Sequence, residues 1–445
     1  MPMDAAARAA CLSHAFLSSW RCYPKLTLTR EALCSKAYGN LSSRIDNILR
    51  NHSGIGLKKL SLRLCHEYDS FPYIDSWLQV AVKPGIEELI LFLDEEYKFP
   101  SSLLSVGVRI SIRSFELRSC VFRPTLEVGP LRSLTRLKLT DVGITGDELE
   151  CRLSNSLALE HLDLTHCDEI ITLKIPSALQ KLSYLSVFGC WYLQVIENKA
   201  PSLSNFTLNG HFSKLSLGEA SQTMKVLGLH CANVIYYARA KLASIMPNLE
   251  TLFLHTNAEV DTPMLPTKFL NLKHLTIQIW SSSYDYFSLV SFLDASPYLV
   301  NWNLDVAQED MEHESIFEGS SHLRQLPEIH HHRLKSVEII EFSSAKSLVE
   351  LTCCILKSAV SLEQLTLDTL HGDGRCSEQN YSNGLALHTS CCPLSEAVLE
   401  EAFRGVAAIR QYIEAEVPPT VKLTVQEPCP RCHTTTMAKH DGGLS

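Results

Sequence analysis

The 445-residue chain has little that would suit it to nucleic acid or to a lipid bilayer. Its 40 Lys and Arg are outnumbered by 49 Asp and Glu, a formal charge of −9, whereas general affinity for a polyanion needs a basic surface. No apolar run reaches the roughly 18–20 residues that span a bilayer. The alanine-rich start is broken by Asp4 and Arg8 and leads into no continuous apolar core, unlike a secretory signal. Neither nucleic acid nor membrane is therefore expected as a partner. Phosphate-cradling glycine loops, G-x-S-x-G, H-E-x-x-H and paired-glycine dinucleotide fingerprints are also missing. Catalysis, cofactors and metals are accordingly not expected.

What the chain has in abundance is one leucine frame. LEHLDLTHC, Leu159 to Cys167, places Leu162 and Leu164 in alternation with His161, Asp163 and Thr165, the period of two of a strand with one buried face. The frame recurs at Leu57, Ile86, Ile112 and Leu134, then at Leu182, Leu203, Met224, Leu249 and Leu272, and more weakly at Leu299, Leu334 and Leu362. Steps between copies run from 21 to 29 residues, with one of 35 before Leu334. That is the period of leucine-rich repeats. A lone strand cannot bury its apolar face, so each copy should supply one strand of a parallel sheet and return through helix or irregular turn. The expected fold is an α/β leucine-rich-repeat solenoid with a curved parallel sheet and an α+β C-terminal cap.

Sixteen cysteines could suggest disulfides, but Cys65, Cys120, Cys167 and Cys190 all take the ninth slot of the frame. Free cysteine packs as a small hydrophobe. Reduced packing residues imply a reducing compartment, cytoplasm or nucleus. Of the adjacent pairs Cys353–Cys354 and Cys391–Cys392, one member each is expected buried and one exposed. The three histidines His330 to His332 read as a polar loop. Cys429-Pro-Arg-Cys432-His433 matches C-x-x-C-H. It lacks a surrounding haem domain and supplies three of the four ligands that a closed zinc site needs, so it is read as neither.

Positions three, five and seven of each copy should project from the strand face. That lane carries Tyr184, Phe188 and Phe253, with His230, His255 and His274 beside them. Aromatic residues are enriched at interface hot spots, so these six are candidate target-binding residues; packing along the sheet is the alternative.

At the N-terminus, Ala6, Ala9, Ala10, Leu12, Phe16, Leu17 and Trp20 fall near helical spacing and Pro24 ends the segment. From spacing alone this is a helix capping the repeat array. The stretch with Ala9, Ala10, Ser13, Phe16, Trp20-Arg21, Pro24 and Leu26 also resembles the second half of an F-box, as in plant F-box/leucine-rich-repeat proteins. Residues 333–370, a strand, a helix with Leu348, Leu351, Ile355 and Leu356 on one face, and a strand, resemble the FBD segment that follows the repeats in that family. The resemblance implies docking of Leu12, Phe16, Trp20 and Pro24 on the Skp-type adaptor of a cullin ubiquitin ligase. The repeats would then hold the target protein. The family's leucine-proline segment and first helix are not found ahead of this stretch, so an interaction scaffold that does not meet the adaptor is the second expectation. The organisation read from the chain is a partial F-box at 1–28, a helical linker at 29–56 and repeats at 57–330. An FBD-like segment at 331–370, a loop at 371–393, a helix-and-strand cap at 394–427 and a flexible tail at 428–445 complete it.

Overall fold

A computed structural model describes residues 12, 14–33, 41–52, 56–64, 71–123, 129–211, 213–259, 267–281, 283–307, 312–318, 322–325, 327–370, 381–382, 385–386 and 394–429. Met1–Met224 and Lys225–Ser445 form two compact units.

In the first unit the leucine frame becomes parallel strands in register. Lys25–Leu28, Lys59–Arg63, Glu88–Phe92, Ser114–Val121, Arg136–Gly143, His161–Thr165, Tyr184–Phe188 and Asn205–Asn209 pair in that order. The inward side chains line up across them: Leu26, Leu60, Leu89, Phe115, Leu137, Leu162, Leu185 and Phe206 form one buried ladder. Each such side chain contributes about 1.5–3 kcal/mol of burial, most of it offset by the entropy of ordering the chain. The sheet begins earlier than the first leucine copy at Leu57. Leu26 and Leu28, in the short apolar stretch after Pro24, are fully buried in its first strand. The linker before Leu57 contains the helix Leu41–Asn51, which buries Leu41, Ile45 and Leu49.

The return segments follow the step length. The 29-residue step from Leu57 holds the helix Phe71–Ala81 and the 25-residue step from Leu134 holds Gly146–Ser154. Steps of 23, 21 and 21 residues from Leu159, Leu182 and Leu203 instead return as strands, Thr172–Ile175, Val195–Asn198 and Lys214–Ser216, paired in a second parallel sheet. This corrects the expectation of helix or irregular turn throughout. A helix advances about 1.5 Å per residue and a strand about 3.3 Å, so in these three short steps the extended form crosses the layer with fewer residues.

In the second unit Val226–His230, Thr251–Thr256, His274–Ile279, Asn301–Val306, Ser336–Ile340, Gln364–Asp368 and Lys422–Gln426 pair in parallel. Three of its returns carry helices among the described residues: Val234–Tyr237 continuing through Ala238–Leu242 to Ala243–Ile245, then Val290–Ala295, then Lys346–Ser358. The last of these is buried almost all round, so Cys353 and Cys354 are both buried. The expectation of one exposed member fails because this helix has neighbours on more than one side. Cys391 and Cys392 lie outside the described residues. Glu350, on the same helix, has a fully buried side chain and accepts from Arg324 Nε at 2.7 Å and Arg324 N at 2.8 Å. The same guanidinium holds Asp285 at 2.8 and 2.9 Å.

The helix Glu396–Ala408 starts on Ser395, whose Oγ accepts from Val398 N. Gly405 lets it approach the backbone: a Cβ there would stand 2.5 Å from Phe342 O. Within the histidine triplet His331 is buried, while His330 and His332 are exposed. His331 Nε2 donates to Ser296 O at 2.8 Å and Nδ1 accepts from Leu334 N at 3.0 Å, so it is a neutral structural imidazole. Cys120, Cys167 and Cys190 are buried free thiols; burial pushes Cys120 up to about 12. Cys65 lies outside the described residues, as do Cys432 and His433. Among the described residues no group of three or more His, Cys, Asp or Glu could hold a metal ion.

Candidate protein-interaction faces

Alternation places positions three, five and seven of each copy on the strand face, and side-chain length then decides which are accessible. Ser61 and Thr140 are covered, whereas the long aromatic and charged residues stand out.

In the first unit Tyr184 is half-buried with its ring 5.7 Å from the His161 ring. Phe188, 44% exposed, meets His166 edge-on at 5.8 Å. His166 is fixed from below: its φ is +51°, its backbone N–H donates to Phe188 O at 2.8 Å, and Nδ1 donates to Gly189 O at 3.1 Å. Gly189 has φ +62°, and a Cβ there would stand 2.3 Å from the His166 ring. Only glycine meets both demands, so this residue sets how Phe188 is presented. Trp191 and Tyr192, 54% and 67% exposed, follow directly. Reading only positions three, five and seven overlooks them; two adjacent aromatics just after the Cys190 slot were the available signal.

In the second unit Phe253 is 41% exposed. Its register neighbours are Gly228, which has no side chain, and Thr276, so one flank of the ring stays open. His230 and His255 share the next position out, with Nδ1 to Nδ1 at 3.2 Å. One nitrogen must donate and the other accept, so that contact holds a single proton. Burial, followed by the charge of His255, holds His230 below the usual imidazole range. Burial also lowers His255, opposed by Asp305. The His255 ring lies 4.7 Å from Trp280, which is 55% exposed. Trp280 takes the ninth slot of its copy, where Cys120, Cys167 and Cys190 stand in theirs. An indole in a slot for a small buried residue has to turn outward, a departure readable from the frame. His274 is exposed between Thr251 and Asn301 at position three, apart from the His230–His255 contact.

The residues expected to meet an adaptor are placed as follows. Leu12 is 83% exposed. Phe16 lies on the helix His14–Arg21, but its side chain lies outside the described residues. Trp20 is half-buried with its ring 5.8 Å from Tyr23. Pro24 O accepts from Lys58 N at 2.8 Å and Lys59 N at 3.0 Å, which ties the end of the segment to the sheet.

Comparison with known proteins agrees with this architecture. The family described as "At1g61320/AtMIF1, LRR domain" matches residues 48–430. The chain is 20% identical over 397 residues to the Arabidopsis thaliana FBD-associated F-box protein At1g61330, covering 82% of this chain and 87% of that one. Two further Arabidopsis F-box/FBD/LRR-repeat proteins match shorter stretches. At1g13570 is 29% identical over 119 residues, 26% of this chain and 27% of its own. At5g44980 is 27% identical over 181 residues, 40% and 38%. With its strands, its return segments and most of its length accounted for, this chain belongs to the At1g61320/AtMIF1 leucine-rich-repeat domain family.

Proposed function

We propose that this protein is the substrate-recognition subunit of a Skp–cullin–F-box ubiquitin ligase, active in the cytoplasm or nucleus and without catalytic chemistry of its own. Its similarity to F-box/FBD/LRR proteins supports an F-box-type protein-interaction role. The observation that carries the binding face is the exposure of Phe188, Phe253 and Trp280 on or beside ordered strands. Large rings held rigidly in solvent lose little entropy on contact and are the residue types that dominate interface energies. Leu12, Phe16, Trp20 and Pro24 are assigned to the adaptor by their match to the F-box pattern.

One observation favours the scaffold reading. Pro24 and the four residues after it are built into the sheet by backbone bonds to Lys58 and Lys59, so this end of the segment serves the repeat array as well. Co-purification with a Skp adaptor tests the choice. Wild-type protein should retain the adaptor and Trp20→Ala should lose it; no retention by the wild type establishes the scaffold. Alanine at Tyr184, Phe188 and Phe253 should abolish target recovery with the circular-dichroism spectrum unchanged, and survival of recovery would move the target face elsewhere.

A further inference from the structure

A second feature of the first unit's strand face is charged. Arg63, Phe92 and Arg118 occupy the same position on three successive strands. The Arg63 and Arg118 guanidinium carbons lie 4.7 and 5.4 Å from the Phe92 ring centroid. Two cations therefore share one phenyl ring, at most about 10 Å apart by those two distances. Stacking on a ring face steadies a guanidinium and leaves its in-plane N–H fork free to accept a carboxylate. Arg63 is within electrostatic reach of the exposed Glu31 carboxylate, but no described carboxylate approaches its guanidinium within 4 Å. Arg118 reaches Asp141 at 3.8 Å, too far for a hydrogen bond. The next strand adds Arg136 and Lys138, and Lys138 stands 3.8 Å from Glu116. The donors of this patch are thus held in place but largely unspent, in a chain whose overall charge is −9.

We propose that Arg63, Phe92, Arg118, Arg136 and Lys138 form a docking patch for a carboxylate-rich peptide segment of a partner protein. The inference rests on the strand face being a binding surface and names the chemistry of what binds there. Side chains on one face of an extended peptide recur about every 6–7 Å, a spacing that fits within the reach of the two stacked guanidiniums. Bidentate contact with carboxylates is the interaction for which this planar fork is shaped. Glu116, Asp141 and Asp163 interrupt the patch, which disfavours a continuous phosphate backbone. The only ring at its centre is already covered by guanidinium rather than open to a stacking base.

The test uses the full chain and a fluorescein-labelled hexaglutamate peptide in anisotropy titrations at low and physiological salt, with hexalysine and a dT oligonucleotide as controls. Hexaglutamate should bind in preference to both and weaken with salt. Arg63→Gln/Arg118→Gln should weaken it about tenfold or more, and Phe92→Leu severalfold, because the ring no longer steadies the forks. Unchanged affinity in the double variant, or tighter binding of the oligonucleotide, would overturn the proposal. The Tyr184/Phe188/Phe253 alanine variant should keep hexaglutamate binding. Lost target recovery in that variant beside wild-type indifference to hexaglutamate would sink the acidic-peptide inference and leave the aromatic face standing.

Discussion

The two units are built from the same nine-residue frame and differ in what they hang on it. The first carries guanidinium and ammonium groups about Phe92, then Tyr184 and Phe188. The second carries the His230–His255 pair, Phe253 and Trp280, followed by Gln278, Asp305 and Glu338. Their returns differ as well: three short steps of the first return as extended strands, whereas three steps of the second carry helices. Inward positions are held to Leu, Ile, Val or Phe with few exceptions, so the frame constrains packing and leaves the outward positions open to specialise. Partner chemistry should therefore differ between the units while their stability follows one rule.

The most damaging way to break that likeness is a charge in the ladder. Leu162→Asp should cost more than 4 kcal/mol or prevent folding, because it strands a carboxylate in the core between two neighbours. Leu57→Asp, near the end of the array, should cost less; urea unfolding of both checks this. Arg324→Ala affects the second unit alone. It removes the partner of the buried Glu350 carboxylate, and with the guanidinium itself 45% exposed the loss should be about 2–3 kcal/mol in the same measurement. Gly189→Ala belongs to the first unit and should cost about 1–2 kcal/mol, since both φ and the His166 ring oppose a Cβ.

A pH series sharpens the comparison further. Burial, then the neighbouring charge of His332, holds His331 below the ordinary imidazole value, and the bond to Ser296 opposes them. A lowered folded value means the unfolded state binds the proton more readily. The contribution is complete above the unfolded value of about 6.5 and is lost as pH falls below it. Melting temperature of the wild type should therefore drop below pH 6.5 more steeply than that of His331→Gln. The smallest stability effect belongs to the strand face. Phe253→Ala and Trp280→Ala should change unfolding free energy by less than about 0.5 kcal/mol, whereas Leu252→Ala, one residue away and buried, should cost about 2–5 kcal/mol. Equal costs would mean that the rings pack on the sheet instead of waiting for a partner.

Much of the strand array was legible because a period-two pattern repeated many times leaves one solution for the apolar face. Leu162 and Leu164 point inward wherever the return segment runs. Tyr184, Phe188 and Phe253 could be assigned to the outer face by the same counting. Trp280 was less visible because it sits in a slot that other copies fill with cysteine, and the first strand escaped because Leu26 and Leu28 stand beside Pro24 without the leading leucine of the frame.

Alternation and period are local properties, so the residues alone determined which side chains face the core and that the strands run parallel. Only the tertiary structure decided that the 21-residue steps return as strands, that both Cys353 and Cys354 are enclosed, and that Arg63 and Arg118 meet over one ring. Those outcomes depend on distances between segments far apart in the chain. Such distances are set by how neighbouring copies stack, and no single copy contains them.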